Sequence, residues 1–504
     1  MNFNRASRKG VLGAGSAVLS FAASAHAQST TPASPATTPG GEPKKAVVSV
    51  PANSPTGKFI FSGSLRSRIE HWNFFDAPGF DDSYTFNGTL LRFGALRQTN
   101  SNDIQLELAA PLLIGLPKNT IAPPPLGPLG LGANYRAANG GQDASIFPKQ
   151  AFIRLKGLGS AANSLRFGRF EFWDGSEVAP KNPILAAVKR DRIAHRLLGN
   201  FGFSHVGRSF DGAQFVHNTP SGNFTVLAAR PTEGVFQLNG FGEVRDVDFA
   251  YAAYTKPMQD SEARIFGLTY RDGRDDVVKT SNNATPIRGD LRINTLGAHF
   301  LKAIDTGGGS VDLLAWGALQ NGDYGNLSHR ANAVALEVGY QPKKAKLRPW
   351  LRAGLYRASG DDNPADGKHG TFFSALPTPR IYARMPFYNQ MNIEDAFVQG
   401  ILRPSPKLTA RADFHFLKLN SARDLQYSGG GAFQDNSFGY AGRGNPSGKK
   451  SLANVLDLSL DYAINPETSV TLYGARAFGK DVLKGIFPTG SNATYLYAEV
   501  TRKF

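Results

Sequence analysis

Phe59-Ile60-Phe61-Ser62-Gly63-Ser64-Leu65-Arg66-Ser67-Arg68-Ile69-Glu70 is the stretch whose reading decides the fold. Phe59, Phe61, Leu65 and Ile69 fall on one side of a period-two pattern, and Ser62, Ser64, Arg66, Arg68 and Glu70 on the other. Side chains of an extended chain point alternately to opposite faces, so the alternation predicts a strand with one apolar and one polar face. The pattern returns near 86–97, 103–109, 149–158, 164–173, 209–218, 223–230, 247–255 and 263–271. It continues near 291–302, 310–320, 331–341, 347–358, 394–403, 408–419, 452–463, 469–478 and 493–504. That is 18 strands, and no amphipathic helix of 12 or more residues.

The connections alternate in length. Gln98–Asn102, Gly159–Asn163, Thr219–Gly222, Pro342–Lys346, Pro404–Lys407 and Asn465–Thr468 are short, whereas 110–148, 174–208, 272–290, 359–393 and 420–451 are long. Tight turns at one end and long loops at the other predict an all-β fold, a transmembrane antiparallel β-barrel of the bacterial outer membrane with long extracellular loops and short periplasmic turns. Closing the sheet satisfies every backbone group in lipid without a helix. No window holds 18 or more apolar residues, which excludes a transmembrane helix. With no Cys among 504 residues, disulfide scaffolds and thiolate chemistry are excluded as well.

The ends of the chain fit export. Arg5, Arg8 and Lys9 precede an apolar, small-residue run from Val11 to Ala25, and Ala25-His26-Ala27 has the form of a cleavage site. Residues 1–27 therefore read as a signal peptide. Residues 28–57 are Ser, Thr, Pro, Ala and Gly with almost no aromatics, a disordered periplasmic tail, and 58–504 form the barrel. Leu496, Ala498, Val500 and Phe504 share a face of the last strand, with Arg502 as the departure from apolar character. The net charge of +16 suits a polyanionic partner, and export makes nucleic acid the wrong one.

Several segments resemble the alginate export family of outer-membrane β-barrels. They are Leu91-Arg92-Phe93-Gly94, Gln150-Ala151-Phe152 and Leu165-Arg166-Phe167-Gly168-Arg169. Val206-Gly207-Arg208-Ser209-Phe210-Asp211-Gly212 and Ala358-Ser359-Gly360-Asp361-Asp362-Asn363-Pro364-Ala365-Asp366-Gly367 follow. The last is succeeded by Gly370-Thr371-Phe372-Phe373 and Leu376-Pro377-Thr378. The likeness runs from about Gly57 to Phe504, although Phe170 stands where many relatives carry Gln. It implies an 18-stranded barrel and a basic pore that passes an acidic polysaccharide.

A barrel of this size has a lumen too wide to be filled by wall side chains, so the polar face lines a channel. The candidate pore-lining residues are Arg66, Arg68, Glu70, Arg92, Arg154, Arg166, Arg169, Arg208, Arg352, Arg411 and Asp413. Lys156, Glu107, Glu337, Asp457 and Asp461 share those faces. Guanidinium groups hold carboxylates bidentately, and rings of Arg or Lys are how anion pores select. The expected function is an outer-membrane channel for an anionic polysaccharide or oligosaccharide. The alternatives are a general or nutrient porin for small anions, and an outer-membrane enzyme. The expected partners are the saccharide and outer-membrane lipid and lipopolysaccharide, for a monomeric barrel.

Enzyme chemistry is poorly represented. Gly207-Arg208-Ser209-Phe210-Asp211 lacks the final Gly of a nucleophile elbow, and the nine histidines make no H-E-x-x-H. Asp413 and His415 are two apart on one face, the spacing of an acid–base pair or of two pore-lining groups. Asp361, Asp362, Asn363, Asp366 and Gly367 resemble a calcium loop broken by Pro364, or a turn built on Asx hydrogen bonds. No catalytic residue, metal ligand or cofactor is assigned. The loop at 174–208 carries Lys181, Lys189, Arg190, Arg192, Arg196 and Arg208 against Asp174, Glu177 and Asp191. It is expected either to fold inward as a constriction or plug, or to lie outside against lipopolysaccharide phosphates.

Overall fold

The computed structural model describes residues 57–379 and 382–504. The expected signal peptide and tail lie outside the described residues apart from Gly57. The first nine strands are β1 (Phe59–Asn73), β2 (Ser83–Gln98), β3 (Asn102–Ile114), β4 (Phe147–Lys156), β5 (Asn163–Phe170), β6 (Phe210–Thr219), β7 (Gly222–Pro231), β8 (Val247–Pro257) and β9 (Ser261–Asp272). Next come β10 (Leu291–Asp305), β11 (Gly309–Tyr324), β12 (Leu327–Pro342), β13 (Trp350–Ala358), β14 (Lys368–His369), β15 (Ile393–Ser405) and β16 (Leu408–Leu419). The chain ends with β17 (Gln426–Gly429), β18 (Tyr440–Arg443), β19 (Ser451–Ala463), β20 (Thr468–Gly479) and β21 (Asn492–Lys503). Three short helices, α1 (Leu131–Asn139), α2 (Pro183–Arg192) and α3 (Asp481–Ile486), all sit in long loops.

Two-residue β14 lies parallel to β12, and β17 and β18 pair only with each other within a loop. The other 18 strands form one antiparallel sheet, which closes where β1 meets β21 through pairs such as Leu65↔Arg502 and Glu70↔Tyr497. Phe504 completes the seam. Gly63 and Phe504 exchange both backbone hydrogen bonds (2.8 and 3.0 Å), and a Cβ on Gly63 would lie 2.2 Å from the Phe504 ring.

The sequence alternation becomes inside and outside. Leu65, Ile69, Leu91, Phe93, Leu106, Leu336, Leu472 and Leu496 are exposed on the outer face, where the solvent is lipid. Phe59, Phe61, Phe224, Tyr254, Phe300, Tyr340, Tyr462 and Phe504 are exposed toward the short-turn end, a girdle of aromatic rings at one membrane interface. Arg502, out of place among outward apolar residues, pairs at that end with Glu467 of the β19–β20 turn (2.9 Å). Its long side chain thus leaves the lipid for the water.

Candidate pore and its constriction

Arg66, Arg68 and Glu70 occupy alternate inner positions of β1, yet they are 2%, 0% and 0% exposed. Wall side chains alone cannot bury them in so wide a lumen. The cover is the loop 171–209 between β5 and β6. Arg66 donates from Nη1 to the Gly202 carbonyl (2.7 Å) and from Nη2 to that of Ser204 (2.5 Å). Arg68 donates to the Phe203 carbonyl (3.0 Å) and pairs with Glu499 (2.8 Å). His205 Nε2 lies 2.7 Å from Glu70 Oε1, and the Tyr495 hydroxyl donates to Glu70 Oε2 (2.8 Å). Burial holds the His205 imidazole down at about 4.

The other half of the loop reaches strands half a circumference away. Its helix α2 starts where the Asn182 side chain accepts from the Ile184 amide (2.9 Å), with Pro183 as the first helical residue. Lys189 pairs with Glu262 of β9 (2.7 Å), which also meets His299 (2.8 Å). Arg192 donates to Glu337 of β12 (2.9 Å), and Glu337 also accepts from Arg352 of β13 (3.1 Å). Arg352 reaches on to Asp312. The Arg196 guanidinium lies over the rings of Trp316 (4.7 Å), Tyr382 (5.2 Å) and Tyr356 (5.4 Å).

A segment fixed to β1 and to β9–β13 crosses the lumen. The inward alternative for this loop is therefore the one realised, and Lys189, Arg192 and Arg196 are buried rather than presented at the surface. Asp174 ties the crossing together by accepting the Leu197 and Leu198 amides (2.9 Å each), and burial pushes its carboxyl up to about 6.

On the β1–β4 side the plug leaves a cavity of about 40 Å³ lined by Arg66, Arg92, Glu107, Lys149 and Glu171 among others. Arg92 grips Glu107 (2.6 Å) and Glu171 (2.7 Å). Lys149 donates to the carbonyls of Val206 and Arg208 (3.1 Å each). Toward the short turns Lys156 and Arg154 share Asp103 (2.7 and 3.5 Å). Arg166 makes no ion pair and stacks on Phe170 (4.0 Å) and Phe152 (5.2 Å). On the long-loop side of the plug, six loops enclose a second cavity of about 250 Å³.

Arg66, Arg68, Glu70, Arg92, Arg154, Arg166, Arg352, Arg411 and Asp413 all take inner positions, but not as one ring. The first six lie on the β1–β5 arc. Arg352 anchors the plug, and Arg411 is closed onto Asp413 (2.5 Å) and the Tyr382 carbonyl (3.1 Å). Arg169 departs from the expectation. Three residues after inward Arg166, it shares the outward parity of exposed Phe167, pairs with Asp211 (2.6 Å) and donates to the Gly240 carbonyl (3.2 Å). Arg208 sits on the plug, buried against the carbonyls of Gly430 and Ala432. Asp413 and His415 do not pair, since His415 bonds Asp395 (3.0 Å).

The Asp361–Gly367 segment is a run of Asx turns: Asp361 accepts from Asn363, Asn363 from Ala365 and Asp366 from Lys368. Among the described residues no three His, Asp or Glu side chains gather where a metal ion would bind. Sequence reading missed Lys149 and Glu171. Lys149 is the extra residue of a register shift opposite Glu107 and Leu108, which erases its parity. Glu171 falls within the alternation read over 164–173, but the strand ends at Phe170 and leaves it on the loop.

Residues 139–484 match the family model described as alginate export. No curated protein matches the chain. Among solved structures, the chain is similar to the outer membrane protein opdK of Pseudomonas aeruginosa at 12% identity, with 88% of this chain and 99% of that one covered and a TM-score of 0.50. It is similar to Pseudomonas aeruginosa OpdO at 11% identity, over 89% of this chain and 97% of that one, with a TM-score of 0.52. Pseudomonas aeruginosa OccK8 (OprE) is similar at 11% identity, over 90% and 99%, with a TM-score of 0.52.

Proposed function

Because the chain belongs to the alginate export family and folds as an outer-membrane channel, we propose that it passes an anionic saccharide along the β1–β5 arc of its lumen. The observation that carries this reading is the charge of that arc. Arg66, Arg68, Arg92, Lys149, Arg154, Lys156 and Arg166 stand on its inner face, against Glu70, Asp103 and Glu107 of the arc and Glu171 of the plug. A uronate chain offers one carboxylate per ring, and guanidinium groups bind such carboxylates bidentately while staying charged. In the surrounding low dielectric an excess of cations favours anion entry and opposes cations.

The loop 171–209 is the constriction of this channel. A gap of about 40 Å³ holds only a few waters. A sugar chain therefore passes only when the loop swings away from β1, while chloride-sized anions pass with smaller displacements. That narrowness is what favours the second reading, a porin for small anions.

Reconstitution in planar bilayers under a salt gradient tests both. Anion preference at low salt is expected, fading as salt screens the lumen. The double variant Arg154→Glu with Lys156→Glu should weaken or invert it, and removal of 181–196 should raise single-channel current. Cation preference in the unaltered protein would overturn the reading. Block by alginate oligomers that relieves with voltage supports the saccharide. Permeation of acetate without any such block supports the small-anion porin.

A further inference from the structure

The 250 Å³ cavity on the long-loop side is lined by residues of the long loops, with aromatic side chains prominent among them. Phe74, Phe201, Phe236, Phe387, Phe433 and Tyr440 face it from five different loops. Among the described residues of the lining, the charged one is Arg443 at the end of β18, only 4% exposed.

Among the described residues Arg443 has no ion-pair partner. It donates from Nε to the Leu126 carbonyl at 2.9 Å, but its other contacts are long: Gln426 Oε1 at 3.3 Å, Ser428 Oγ at 3.4 Å and the Pro128 carbonyl at 3.4 Å. Charged donors normally sit about 2.7–2.9 Å from a carboxylate oxygen. Burial without a counter-charge pulls the guanidinium down to about 10. A second cation without a carboxylate, Arg208, lies behind the Phe201 ring (5.7 Å) and is held by the Gly430 and Ala432 carbonyls. Other buried arginines of this lumen do have their acid, as Arg192, Arg264 and Arg352 do, whereas Arg166 is held by aromatic rings. A buried charge without a counter-charge is costly, so a cation left without an acid beside a cavity suits an anionic ligand.

We propose that this cavity is an entry or exit subsite for one hexuronosyl unit, its carboxylate on Arg443 and its ring against the aromatic faces. The assignment rests on the anionic-saccharide reading above and adds the ligand unit and its place. The volume suits a single ring; pockets for drug-sized ligands run about 300–1,000 Å³. Asn134, Ser428, Gln434 and Ser437 also line it, and give hydroxyl groups polar partners that a purely aromatic ligand would leave unused.

The test is block of single-channel current by alginate trisaccharide added on the long-loop side of the full-length protein in a bilayer. Block is expected from that side, with at least tenfold weaker apparent affinity for Arg443→Gln. Gln434→Glu keeps the arginine and places a carboxylate in the cavity; it should weaken block by the same order if the arginine variant assembles poorly. Cellotriose, which has the rings and no carboxylate, should not block. Equal block in both variants, or equal block by cellotriose, overturns the subsite while leaving anion selectivity as the independent measure of the channel reading. Block by benzoate at lower concentration than the trisaccharide overturns the sugar assignment in favour of an arene carboxylate.

Discussion

Arg154 and Arg166 are direct cross-strand partners on the inner face of β4 and β5, two guanidinium groups opposite each other with Asp103 the acid beside them. Like charges so placed are destabilising by roughly 0.2–1 kcal/mol. On the proposed anion path, a permeating anion would relieve that repulsion. Arg166→Gln should therefore raise the melting temperature at low salt, with the gain lost at high salt, and should lower the chloride-to-potassium permeability ratio. A ratio unchanged by the substitution would remove Arg166 from the anion path.

Gly88 marks where the plug is pressed closest to the wall. A Cβ there would lie 2.2 Å from the His205 ring. Gly88→Val suits a β-strand, so the barrel should form, while the imidazole loses its place beside Glu70. Larger single-channel current and faster amide exchange at Phe203–Val206 are the expected readouts, against unchanged heat-modifiable mobility on gels.

Buried and exposed ion pairs should differ sharply. Glu337 holds both Arg192 and Arg352 and is fully buried, so Glu337→Ala strands two cations and should cost about 3–5 kcal/mol. The pair Lys343–Asp305 is exposed at a short turn, and Asp305→Asn should leave the melting temperature unchanged. Chemical denaturation of the refolded barrel separates the two.

Asp174 gives the plug a pH dependence whose sign follows from its raised carboxyl, about 6 against the usual 3.9. The folded state binds the proton more tightly than the unfolded one, so docking is weakest above pH 6 and strengthens as pH falls from 7 toward 4. Asp174→Asn keeps an acceptor for the Leu197 and Leu198 amides and removes the charge. It should slow exchange of those amides at pH 7.5, by up to about 3 kcal/mol of opening free energy, and make no difference at pH 4. Slower exchange in the unaltered protein at pH 7.5 would refute the assignment.

The chain by itself determined the barrel. Period-two alternation is a local property, readable wherever one face meets lipid and the other meets water, and all 18 barrel strands were legible from it, Phe59–Glu70 first among them. The inner positions of Arg66, Arg92, Arg154 and Arg166 came with it, because parity fixes the face. Arg169, three residues from inward Arg166, obeys the same parity and faces outward, so its expected inner place ran against the pattern; parity failed at Lys149 in a register shift. The plug and the long-loop cavity were decided only by the tertiary structure. His205 meets Glu70 across 135 residues and Arg443 meets Leu126 across 317. Loop residues have no period to betray their partners, and where such a loop comes to rest depends on which buried charges of a distant wall it can satisfy.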